Sequence, residues 1–151
     1  MTKRLILTRH AKSSWDDPLL DDHDRVLNAR GREAATALGD WLRAQKITPD
    51  QIIASSAKRT LETARRLTFT PLIAAQNRLY HASSDQMFEA LKSASGDVVL
   101  MVGHNPGIAD FAARLVSIKP DHSRFGDYPT AATLVVDFEI EDWNDLRFGQ
   151  G

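Results

Sequence analysis

The sequence predicts the α/β class: one domain over residues 1–151, layered α/β/α around a mostly parallel central sheet. Three observations predict it. Short apolar runs end in polar or charged residues, as strands buried on both faces do. Between them lie segments with apolar residues at helical spacing, as crossover helices have. No linker, repeat or low-complexity stretch divides the 151 residues, a length that suits one core with one cleft.

Taken in order, Arg4-Leu5-Ile6-Leu7-Thr8 reads as a first strand delivering Arg9 and His10 at its carboxyl end. Residues 11–27 are polar, aspartate-rich and without period, so they read as a long loop, a kind of segment that usually moves or carries function. Asn28 is placed to cap a helix whose stripe is Ala34, Ala35, Leu38, Trp41, Leu42 and Gln45, with Gly31 and Gly39 as weak points. Gln51 to Ala54 reads as a second strand. Ser55 or Ser56 is expected to cap the helix beginning near Ala57, with Leu61, Ala64 and Leu67 inward and Arg59 in the first turn. Pro71 to Ala74 reads as a third strand, and Gln86 to Ala94 as a helix with Met87, Leu91 and Ala94 inward. Asp97 to Val102 is the clearest buried strand; it runs into Gly103-His104-Asn105-Pro106, with Pro106 starting a helix through Phe111 and Leu115. Residues 117–131 read as irregular, Leu134, Val136 and Phe138 alternate as in a half-buried strand, and Trp143 and Phe148 anchor a polar tail.

Composition excludes several functions. Nineteen Lys and Arg against 20 Asp and Glu give a net charge of -1, so overall charge marks neither a nucleic-acid binder nor a membrane-surface protein. Without cysteine there is no disulfide, no thiolate metal site and no cysteine nucleophile. The apolar run before Arg9 is too short for a signal peptide or a membrane span, which predicts a cytoplasmic protein. No Gly-x-x-x-x-Gly-Lys element exists for a nucleotide triphosphate.

In doubly wound sheets, ligands bind outside the carboxyl ends of the strands. Three expected strand ends carry suitable residues: Arg9-His10, Ser55 through Arg59, and Gly103-His104. Two imidazoles among guanidiniums make a poor metal site and a good oxyanion site, because an Arg fork matches phosphate geometry. Taken singly, His10 reads as a satisfied strand-end histidine and Arg59 as a solvated helix residue; in this ordered company the anion-site reading prevails.

Those residues resemble the histidine phosphatase superfamily, the phosphoglycerate mutase-like proteins. The matching elements are Thr8-Arg9-His10-Ala11, Leu27-Asn28-Ala29-Arg30-Gly31, the Ser55 to Ala64 segment, and Val102-Gly103-His104-Asn105-Pro106-Gly107. Their order and spacing both agree over roughly residues 3–145, and four ordered elements are far more specific than one. The short length and Leu79-Tyr80-His81-Ala82 look most like the small SixA-type phosphohistidine phosphatases. Ala11 departs from the family's usual Gly, so a Cβ must fit beside the nucleophile, and relatives often run into one more strand beyond the position of Gly151.

The resemblance implies a metal-independent, cofactor-free phosphatase. His10 would be the nucleophile, Arg9 and Arg59 the phosphate clamps, His104 the second imidazole, and Arg25 a further phosphate contact. Arg25 reads equally well as a partner of the loop aspartates. A general acid is not fixed by the sequence: Asp85 and Glu89 lie in about the right stretch, and Asp16, Asp17 or His81 also carry transferable protons. Trp15 reads as a packing anchor or a lid over the cleft, and His23 and His122 as surface residues. Phosphohistidine leaves as a neutral ring once protonated and needs that acid less than an alkoxide does, which points to a histidine-phosphorylated protein domain as partner. The alternatives are a broad small-molecule phosphomonoesterase and a phosphate-binding module without turnover.

Overall fold

The structure is a computed structural model that describes residues 2–151. Strands β1 (Lys3–Arg9), β2 (Gln51–Ser55), β3 (Ile73–Gln76), β4 (Val98–Gly103) and β5 (Thr133–Phe138) form one sheet in the order β3-β2-β4-β1-β5. All neighbouring pairs are parallel except β1 with β5, which is antiparallel. The expected class and layering are therefore what the chain adopts. β3 starts two residues later than the sequence implied, because Pro71 lacks the ladder N–H and Leu72, 93% exposed, packs on nothing.

Side-chain alternation assigns each strand residue to one of two cores. Leu5, Leu7, Ile53, Val99 and Met101 face α3 (Ser84–Lys92) and α4 (Gly107–Leu115), together with Phe138, Trp143 and Leu146. Ile6, Ile52, Ala54, Leu100 and Val102 face α1 (Ala29–Ala44) and α2 (Lys58–Arg66) through Leu38, Leu42, Ala64 and Leu67. On β5 only Leu134, Val136 and Phe138 are buried, the half-buried pattern expected of an edge strand.

Helix starts and faces differ from the sequence reading in instructive ways. Asn28 does cap α1, its side chain accepting from the Gly31 N–H. The buried face of α1 is Gly31, Ala35, Gly39 and Leu42, while Trp41 is half exposed and Ala34 and Gln45 point outward. The glycines are contact points: a Cβ on Gly31 would lie 2.1 Å from the Lys12 carbonyl oxygen, and one on Gly39 would lie 2.6 Å from that of Leu67. α2 is capped by Ala57 without a side-chain bond, because both candidate serines are engaged in the cleft. α3 begins at Ser84 rather than Gln86, since Ser83 and Gln86 form a reciprocal capping box. α4 starts directly after Pro106; a Cβ on Gly107 would lie 1.9 Å from the Ala82 carbonyl oxygen, so the helix start seats against the chain entering α3.

Candidate active site

The sheet order sets the geometry. β2, β4 and β1 are adjacent and parallel, with Arg9 in register with Gly103 and Ala54 with Val102. Parallel neighbours lie about 4.8 Å apart, so residues just past their carboxyl ends must meet. His10 and His104 do so, with ring centroids 5.4 Å apart, near enough to touch one tetrahedral anion. Both are buried, at 6% and 3% exposed, and they line a cleft of about 330 Å³ with Arg9, Arg25, Arg59, His81 and Trp15.

Each imidazole is held in one tautomer. His10 Nδ1–H donates to the Ala11 carbonyl at 2.7 Å, which leaves the Nε2 lone pair free. Burial, reinforced by the charges of Arg59, Arg9 and Arg25, lowers its pKa to about 4. His104 Nε2–H donates to Ser55 Oγ at 2.8 Å, while its Nδ1 accepts from Arg59 Nη2 at 3.3 Å. Burial and the neighbouring Arg59, His10 and His81 lower its pKa to about 3. Neutral rings are therefore the resting forms. The Ala11 side chain is fully buried against Leu27 and Ala35, and its N–H donates to Thr63 Oγ1, so the departure from Gly is absorbed by a small apolar pocket.

The guanidiniums converge from three segments. Arg59 is 3% exposed, and its position in the first turn of α2 carries it to His104. Arg9 donates to the Tyr128 carbonyl at 3.3 Å, and burial with the Arg59 charge lowers its pKa. Among the described residues, the Nε atoms of Arg9 and Arg59 are buried without a partner. Arg25 bonds the Ser14 carbonyl, Ser13 and Asp22, and its guanidinium lies 3.2 Å over the Trp15 ring. Arg25 pairs with the loop aspartate Asp22, as one sequence reading expected, and it also lines the cleft. Trp15 is 76% exposed and stands at the rim.

Asp22 is the participant that sequence reasoning missed. Arg59 donates to its carbonyl at 2.6 Å and to its carboxylate at 2.9 Å, Arg25 donates to the other carboxylate oxygen at 3.0 Å, and the Tyr80 hydroxyl and His81 Nε2 also bond it. Partial burial alone would raise its pKa, but the bonds from Tyr80, Arg59 and Arg25 hold this carboxyl far below the usual carboxylate range. Its one sequence signal is the three-residue spacing to Arg25. His23, read as a surface residue, bonds Ser56 Oγ at 2.9 Å and packs edge-on against Tyr80. Asp85 pairs with Arg114 and Glu89 is exposed on α3, so neither lines the cleft; His81 does. Asn105 bonds the Asp127 and Tyr128 carbonyls and ties the irregular 117–131 segment to the rim.

Comparison with known proteins agrees with this geometry. The model of the histidine phosphatase superfamily, branch 1, matches residues 5–79. An uncharacterised Mycobacterium tuberculosis protein is 35% identical over 148 residues, 93% of this chain and 92% of its own. A solved structure from Nakamurella multipartitia, assigned as phosphohistidine phosphatase SixA, superposes with TM-score 0.83 at 28% identity and covers 99% of this chain and 91% of that one. A protein histidine phosphatase SixA complexed with tungstate shares the fold, with TM-score 0.76 at 16% identity, covering 96% and 93% of the two chains. No helix of the described residues is long and apolar enough to cross a membrane. Strand order, paired imidazoles and relatives converge: the chain belongs to the histidine phosphatase superfamily, and it is a phosphatase.

Proposed function

We propose that the protein transfers a phosphoryl group from its substrate to His10 Nε2 and then to water, without a metal ion, and that its substrate is phosphohistidine in a protein domain. The observation that carries this reading is the pair of buried, neutral imidazoles 5.4 Å apart beside the Arg59 guanidinium. A neutral ring with its Nδ1 proton committed to a carbonyl is a nucleophile aimed through Nε2. Arg9, Arg25 and Arg59 supply the positive field that phosphoryl transfer needs, since positioning and charge neutralisation provide most of its stabilisation. His104, held by Ser55 through Nε2–H, accepts from Arg59 at Nδ1 and so keeps that guanidinium aligned beside the nucleophile. Nothing in that sequence of steps calls for a Lewis acid, because guanidiniums occupy the role.

Two observations favour phosphohistidine over esters. Among the described residues the cleft lining holds no carboxyl group, and Asp22, which bonds Arg59 and His81 of that lining, is held ionised. The likeness to the Nakamurella multipartitia protein over almost the whole chain supports the same substrate class. Soluble location in the cytoplasm belongs to this proposal.

The test incubates the protein in EDTA with p-nitrophenyl phosphate and with a histidine-phosphorylated domain, beside the His10→Ala variant. Expected is turnover of both by wild type, faster on the domain, with His10→Ala reduced by roughly 10³-fold or more, as for removal of a nucleophile. Turnover retained by His10→Ala would reject the nucleophile, and faster turnover of the small ester would shift the substrate to small phosphomonoesters.

A further inference from the structure

We propose that His81 is the proton donor to the leaving group and that Asp22 is its positioning residue. This rests on the nucleophilic role of His10 and extends it. Three histidines cluster at the cleft, and only two have been given work. His81 lies beside His104, ring centroids 5.2 Å apart, as His10 does from the other contact at 5.4 Å. The two differ in depth: His10 is 6% exposed on the floor, whereas the His81 side chain is 53% exposed at the mouth. In-line transfer sends the leaving group away from the nucleophile, hence toward the mouth, where His81 stands.

The ring is held rather than loose. Its backbone has φ +52, a left-handed conformation that costs a non-glycine residue energy and persists only where surroundings impose it. Tyr80 packs against it at 4.1 Å between centroids, and Nε2–H donates to Asp22 Oδ2 at 3.1 Å. Among the described residues Nδ1 bonds no other group of the chain. One carboxylate oxygen of Asp22 therefore joins the proton donor to Arg59, the clamp on the phosphoryl group. A fixed carboxylate behind one ring nitrogen orients the imidazole, the logic by which an aspartate serves a catalytic histidine. Asp22 cannot give the proton itself, because Arg59, Arg25 and Tyr80 keep it ionised.

The steps balance. As the bond from phosphorus to the leaving atom breaks and His10 Nε2 bonds phosphorus, the His81 Nδ1 proton passes to the leaving atom, giving a neutral alcohol or imidazole and a neutral His81. Water then loses a proton to His81 as its oxygen attacks phosphorus; the P–N bond breaks, releasing inorganic phosphate and restoring both histidines.

Leaving-group dependence separates this role from packing. kcat/KM would be measured for p-nitrophenyl phosphate, phenyl phosphate and a simple alkyl phosphate, in order of rising basicity of the departing oxygen, with wild type, His81→Asn and His10→Ala. Removing a proton donor costs least where the leaving oxygen needs no proton, so the loss in His81→Asn grows along the series, reaching about 10²-fold for the alkyl ester. His81→Gly, which also relieves the φ +52 backbone, gives the same steepening without a lower unfolding midpoint. A loss of equal size on all three esters, or none, overturns the proposal. Activity surviving in His10→Ala is a separate result, and it overturns the nucleophile instead.

Discussion

Single residues carry unequal amounts of information in this sequence. His10, His104, Arg9 and Arg59 were legible because each follows an apolar run or opens a helix, and the strand order then brings them to one cleft. Asp22 and Tyr80 were not legible as partners, since a polar side chain outside any period announces nothing about what it will touch, and Ser55 was legible as a strand end but not as the partner of His104. Their contribution is orientation: Ser55 fixes the His104 tautomer, and Asp22 aligns Arg59. At Arg59 both terminal nitrogens are engaged, Nη1 on the Asp22 carbonyl and Nη2 shared between the Asp22 carboxylate and His104. Lysine keeps the charge and loses the fork. Arg59→Lys is therefore expected to lower kcat/KM on p-nitrophenyl phosphate by about 10- to 10²-fold, the scale of one charge-assisted hydrogen bond of about 1.5–3 kcal/mol. A variant at wild-type rate would remove Arg59 from the phosphate site.

Elements were legible where a period runs through them and misread where backbone meets backbone. On α1 the expected stripe holds at Ala35, Leu38 and Leu42, but Gly31 and Gly39 complete the buried face while Ala34, Trp41 and Gln45 lie outside it. Glycine has no hydrophobic signal, so the close approach of α1 to Lys12 and Leu67 leaves no trace in the apolar pattern. The contact at Gly31 also sets where the 11–27 loop returns to the fold, beside the Asn28 N–H to Lys12 carbonyl bond at 3.0 Å. Gly31→Ala is thus expected to destabilise the fold by about 1–3 kcal/mol, the usual cost of overpacking, despite alanine's better helix propensity. Urea unfolding measures it; an unchanged or higher midpoint would mean that Lys12 moves freely.

At the scale of the whole molecule, function is stored as instability in acid. The unfolded chain protonates His10 and His104 near pH 6.5, whereas the folded chain holds them neutral down to about 4 and about 3. Across that window the unfolded state binds more protons, so stability falls as pH drops from 6.5 toward 3. Urea midpoints in a phosphate-free buffer are expected to decline steadily from pH 7 to pH 4, and less steeply in His104→Asn. Equal slopes in the two proteins would show that the ring is not held neutral by the fold. The same buried rings explain why the class was readable and this cost was not: strand pattern gives the scaffold, but proton affinity follows from burial and from charges distant in sequence.

The seat of Gly107 on the Ala82 carbonyl gives the cleft a hard jaw and a soft one. On the His81 side, helix and incoming chain are wedged together with no room for even a methyl group, so that wall keeps its shape whatever enters. The facing wall is the 11–27 strap, buckled by Asp22 to Arg25 and Arg59. Whatever enters beside that strap meets its Lys12, Ser13, Trp15 and Arg25 side chains, so the loop supplies much of the wall against which a phosphoryl donor must seat.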